Sequence, residues 1–119
     1  TSIAHNSAQA GGGLDVAVAS TLTITGHASV CSNVARSSGG GGITTSSKST
    51  IRLLGSGDLT LCNNTAMSVG GACALLGASL LIDSEDSSHT HQPATRSRLT
   101  VRDNTAIGEV PDEFSNGNG

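Results

Sequence analysis

The sequence predicts an all-β protein, a parallel β-helix fragment of about three to four rungs, and three observations predict it. Glycine pairs recur at a fixed interval, short runs of alternating apolar and polar residues follow each pair, and large rings are almost absent. Of 119 residues, 35% are hydrophobic but only 1% aromatic, with one Phe, no Tyr and no Trp. A core without rings must be narrow and filled by small and branched side chains. Gly (16) with Ser and Thr (31 together) has the look of low complexity until the positions are set in register.

The anchors are Gly13, Gly42 and Gly71, separated by 29 and 29 residues. After them run Leu14-Asp15-Val16, Ile43-Thr44-Thr45 and Ala72-Cys73-Ala74, then Leu22-Thr23-Ile24, Ile51-Arg52-Leu53 and Leu80-Leu81-Ile82. Apolar positions one residue apart have the period of a strand with one buried face. A turn motif precedes the glycines at Asn6-Ser7-Ala8, Asn33-Val34-Ala35, Asn64-Thr65-Ala66 and Asn104-Thr105-Ala106. Before three of these lies a third strand, Ala28-Ser29-Val30, Leu59-Thr60-Leu61 or Leu99-Thr100-Val101.

One unit is therefore three short strands, and it cannot bury its own apolar face. Copies stacked about 4.8 Å apart bury Leu over Ile over Leu and pair the backbone sideways. The expected core is Leu14, Val16, Leu22, Ile24, Val30, Ile43, Ile51, Leu53, Leu59, Leu61, Leu80, Ile82, Leu99 and Val101, because a one-residue slip would turn a whole strand outward. Glycines and asparagines are expected at sharp bends, through positive φ or side-chain bonds to the backbone. Residues 1–110 form the repeats, with an insertion loop at 84–96, and 111–119 form a polar tail. An antiparallel sandwich offers no reason for the recurrence.

A net charge of -3 with 13% charged residues excludes a basic nucleic-acid reader, and the missing rings exclude a stacking platform. The most apolar stretch, Val69 to Ile82, is broken by glycines and too short to cross a bilayer. With no initiator Met and a motif in its first residues, the chain is expected to start inside a longer polypeptide.

Gly11-Gly12-Gly13-Leu14, Gly40-Gly41-Gly42-Ile43 and Gly70-Gly71-Ala72-Cys73 resemble the Gly-Gly-Ala-Ile element of polymorphic outer-membrane-protein repeats. Val30-Cys31-Ser32-Asn33, Leu61-Cys62-Asn63-Asn64 and Val101-Arg102-Asp103-Asn104 are similar to its Phe-x-x-Asn partner in spacing, with an aliphatic residue in place of Phe. The resemblance covers Asn6 to Ala106. It implies a right-handed β-helix in an extracellular or cell-surface protein, often an adhesin of autotransporter type.

The chemistry of sites is sparse. Cleavage of a polysaccharide, the competing function for this architecture, needs carboxylates gathered on neighbouring rungs. Asp15 aligns with Thr44 and Cys73, so no carboxylate neighbours it, while Asp58 and Asp103 fall in or beside turns. Asp83, Glu85, Asp86, His89 and His91 cluster in the insertion and carry ligand types suited to zinc, but a solvated loop explains them as well. His5 and His27 are single histidines near turns. The Thr21, Thr23, Thr25 run would suit an ice-binding ladder, except that Thr23 aligns with Arg52 and Leu81. The glycine runs lead into strands and so are not phosphate loops.

Cys31 and Cys62 occupy one slot, aligned with Arg102. Beside inward Val30 and Leu61 they should face outward, one above the other, at a spacing that permits a disulfide and leaves Cys73 unpaired. The alternative is three reduced, semi-buried thiols. The functional expectation is a non-catalytic segment of an extracellular or surface β-helix protein, an adhesin, spacer or assembly module without cofactor. Its partners would be flanking rungs, other copies, or a surface glycan or protein, and not nucleic acid. The alternative is a carbohydrate-active enzyme of lyase or hydrolase type.

Overall fold

The computed structural model describes residues 1–83, 96–108 and 114–116. Among these the chain is all-β, and every strand pairing is parallel. The strands are β1 Ser2–Ala4, β2 Ser7–Ala10, β3 Leu14–Val16, β4 Thr21–Ile24, β5 His27–Cys31, β6 Val34–Ser38, β7 Ile43–Thr45, β8 Thr50–Leu54, β9 Asp58–Cys62, β10 Thr65–Ala66, β11 Cys73–Leu75, β12 Ser79–Asp83, β13 Arg98–Arg102, β14 Thr105–Ala106 and β15 Phe114–Asn116. They form four sheets, ordered β1-β5-β9-β13, β2-β6-β10-β14, β3-β7-β11-β15 and β4-β8-β12. The chain visits the sheets in the same sequence on each pass, so every strand pairs with the one four places on.

Each pass therefore holds four strands, where the sequence pattern predicts three. The additional ones are β2, β6, β10 and β14, which follow the motif asparagines. They bury alanines, Ala35, Ala66 and Ala106, rather than large side chains, so they carry no strong alternation. Phe114–Asn116, inside the expected polar tail, pairs with β11.

The expected register holds in the other strands: Leu22, Ile51 and Leu80 share a level, as do Val30, Leu61 and Val101. It differs at the third glycine anchor. Leu14, Ile43 and Cys73 are partners, so Ala72 and not Gly71 stands level with Gly13 and Gly42, and Asp15 shares its level with Thr44 and Ala74. The interval there is 30 residues, and the connection from β11 to β12 is one residue shorter than that from β7 to β8, which restores 29 residues at Leu80.

A single core runs through the passes. Val16, Ile24, Val30, Ile43, Ile51, Leu53, Leu59 and Leu61 are buried, and Leu14, Leu22, Leu80, Leu99 and Val101 pack against them partly exposed. Ile82 lies in β12, but its side chain falls outside the described residues. At about 25 cal/mol per Å² of apolar surface, each fully buried Leu or Ile contributes roughly 1.5–3 kcal/mol.

Where the backbone passes closest to itself only glycine fits. A Cβ on Gly41 would stand 2.5 Å from the Gly71 carbonyl oxygen and 2.6 Å from the Thr65 carbonyl carbon, both backbone atoms unable to swing away.

Candidate functional site

The four motif asparagines form one hydrogen-bonded line. Asn6 donates its backbone N–H and its side-chain Nδ2 to Oδ1 of Asn33, at 3.0 and 3.1 Å. Asn33 repeats both bonds to Asn64, and Asn64 repeats them to Asn104, at 2.9–3.0 Å. Three of the Nδ2 groups also reach the strand end of the preceding pass: Asn33 donates to the Ile3 carbonyl, Asn64 to Val30 and Asn104 to Leu61. Asn33 and Asn64 are completely buried, so these bonds satisfy groups that water cannot reach.

The asparagines take the side-chain role expected of them and leave the positive φ to the residue before: His5 (59°), Ser32 (58°), Asn63 (51°) and Asp103 (58°). Four different non-glycine residues hold a left-handed conformation there, which the amide bonds of the next residue enforce.

Cys31 and Cys62 are joined by a disulfide with a Cα–Cα separation of 4.6 Å, and Cys73 is the free thiol. The expected slot is right, but Cys62 is buried and Cys31 half-buried instead of both facing solvent. Burial in the apolar interior pushes the Cys73 thiol up to about 12.

Of the candidate acids, Asp15 is exposed and Asp103 lies 3.3 Å from Arg102. Asp58 has a partner that sequence reasoning missed. Oδ2 of Asp58 lies 3.1 Å from Nδ1 of His27, directly opposite it on the neighbouring strand, with Arg98 as the next residue at that level. The signal was present, because the register that aligns Ala28 with Leu59 also aligns the residues before them. Among the described residues no three His, Cys, Asp or Glu side chains gather closely enough to hold a metal ion. Glu85, Asp86, His89 and His91 lie outside the described residues, as does the side chain of Asp83.

The chain matches no protein-family model, no curated protein and no solved structure.

One concavity lies at the end of the core beside β1 and β4. It is a cavity of about 300 Å³, lined by Ile3, Leu14, Leu22, Ala28, Val30 and Leu59 among others. Around it, among the described residues, β1, β2, β3 and β4 each stand at the end of their sheet. Beside it a shallower hollow on the outer face carries Thr1, Ser2, His27, Ser29 and Thr60.

Proposed function

We propose that the chain is a stretch of right-handed parallel β-helix from an extracellular or cell-surface protein, of the kind its glycine and asparagine motifs resemble, and that it acts without catalysis as an adhesin, spacer or assembly module. The observation that supports this is the in-register stack of four parallel sheets with a continuous asparagine line. Such a body transmits its shape from pass to pass, and its outward side chains form the contact surface. Its partners are further turns of the same kind, from a longer polypeptide or from other copies, and a surface glycan or protein met by polar residues such as those around His27.

The test is a glycan array followed by a product assay on every glycan bound, with surface proteolysis of intact cells that make the protein. Protease-accessible protein, and any bound glycan recovered intact, supports the reading. Chain cleavage of a bound polysaccharide, or protection of the protein inside the cell, overturns it.

A further inference from the structure

The bend that leads each pass from the β1-β5-β9-β13 sheet into the β2-β6-β10-β14 sheet is built from three residues with fixed duties. The first holds a left-handed φ, the second is the motif asparagine, and the third begins the next strand: His5-Asn6-Ser7, Ser32-Asn33-Val34, Asn63-Asn64-Thr65 and Asp103-Asn104-Thr105. The second gives its amide to the asparagine line. The first stands on the outside, His5, Asn63 and Asp103 being exposed and Ser32 half-buried. In the third slot Ser7, Val34, Thr65 and Thr105 share one level, and none of them is buried.

One of the four bends differs in its chemistry. Only at Asn63-Asn64-Thr65 does an asparagine fill the first slot with a hydroxyl residue in the third. Asn-x-Ser/Thr is the acceptor sequence for N-linked glycosylation, and it belongs on the surface of a secreted protein, where the amide reaches solvent. Asn63 meets that demand. Its backbone N–H is bonded to the Arg102 carbonyl, while its side-chain amide makes no hydrogen bond to a described residue. The motif asparagines do not meet it: Asn6, Asn33, Asn64 and Asn104 are each followed two residues on by an alanine, Ala8, Ala35, Ala66 or Ala106, and Asn33 and Asn64 are buried.

We propose that Asn63 is a site of N-linked glycosylation, with Thr65 as the hydroxyl residue that completes its acceptor sequence. This rests on the extracellular or cell-surface reading proposed above. The donor is an oligosaccharide carried on a lipid pyrophosphate. Nδ2 of Asn63 bonds to C1 of the first sugar, the bond from C1 to the pyrophosphate oxygen breaks, and the lipid pyrophosphate leaves with that electron pair while the amide gives up one proton. The folded pass accommodates the product because the sugar leaves from an outward bend. The residues in the same slot of the passes on either side, Ser32 and Asp103, are small and polar.

Peptide mass spectrometry of the protein recovered from the cells that make it tests this, with and without a peptide N-glycosidase, which releases the glycan and leaves aspartate in place of Asn63. Two variants accompany it, Asn63→Asp and Thr65→Val, whose new residues are those that neighbouring passes already hold in these slots, as Asp103 and Val34. Thr65→Ser keeps the acceptor sequence. The wild-type segment is expected to carry a glycan on Asn63 that the glycosidase removes; Asn63→Asp and Thr65→Val are expected to lose it, and Thr65→Ser to retain it. The wild-type measurement needs no variant, so a variant that misfolds leaves the test standing. Surface proteolysis of the same cells separates the two readings. A protein that the protease reaches but whose Asn63 is unmodified overturns the glycosylation alone, as does a glycan that survives Thr65→Val. A protein protected inside the cell, with Asn63 unmodified, overturns the extracellular reading as well.

Discussion

Asn33 and Asn64 are bonded twice over, with the backbone N–H and the Nδ2 of Asn33 both directed at Oδ1 of Asn64 at 3.0 Å, and both residues are wholly buried. Replacing Asn64 with Ala removes that acceptor and also the donor that serves the Val30 carbonyl. With a cost of about 1–3 kcal/mol for each buried polar group left unsatisfied, Asn64→Ala is expected to lose roughly 3 kcal/mol or more. Asn6 is exposed, so Asn6→Ala is expected to lose less than about 1 kcal/mol. Urea titration of the two variants compares them, and equal midpoints would show that the amide line carries no stability.

The glycine stack makes a second contrast. Gly41→Ala drives a Cβ into two backbones and is expected to cost about 3 kcal/mol or to prevent folding. No heavy atom lies within 4 Å of a Cβ built on Gly26, so Gly26→Ala is expected to stay within about 0.5 kcal/mol of wild type. Thermal denaturation of both variants checks the pair.

The bridge between Cys31 and Cys62 spans 31 residues of sequence. Closing a loop of that length in the unfolded chain is worth about 3–4 kcal/mol, so a reductant is expected to lower stability by about that much. The double variant Cys31→Ala, Cys62→Ala should be equally unstable and indifferent to reductant. Mass spectrometry after alkylation is expected to find one labelled cysteine in the denatured oxidised protein and three after reduction.

Cys73 gives the pH dependence. Its thiol is raised from 9.0 to about 12 in the folded protein, so between those values the folded state holds a proton that the unfolded state has released. Stability is therefore full below pH 9 and falls as pH rises toward 12, with a slope of up to about 1.4 kcal/mol per pH unit from this group. Cys73→Ala is expected to lower stability at neutral pH by leaving a cavity and to flatten that alkaline slope. Denaturant titrations from pH 7 to 10.5 read both effects, and an unchanged slope in the variant would reject the assignment.

The parts of the fold legible in the sequence are those where large side chains alternate. Leu22, Ile51 and Leu80, or Val30, Leu61 and Val101, announce their levels because each is a bulky apolar residue between polar ones. The strands Ser7–Ala10, Val34–Ser38, Thr65–Ala66 and Thr105–Ala106 are not legible, because their buried positions hold alanine, which is compatible with a turn. Gly70-Gly71-Ala72 offers two frames one residue apart, and equal spacing favours the wrong one. The structure chooses the other, placing Cys73 inside with Ile43, and a shorter turn absorbs the difference. Positive φ at His5, Ser32, Asn63 and Asp103 is hidden because none is glycine. The pairing of His27 with Asp58 follows from the strand register, but only when polar residues outside the apolar pattern are aligned as well.

The bridge that ties Cys31 to Cys62 also limits how far the chain extends under load. A pull on the two termini can draw out every pass of backbone except the stretch between the cysteines, which bears no tension while the sulfur bond holds. At about 3.4 Å for each extended residue, the enclosed segment withholds on the order of 100 Å of contour length. The oxidised chain is thus a shorter tether than its reduced form, and the middle of the stack remains shielded from a force that peels away both ends.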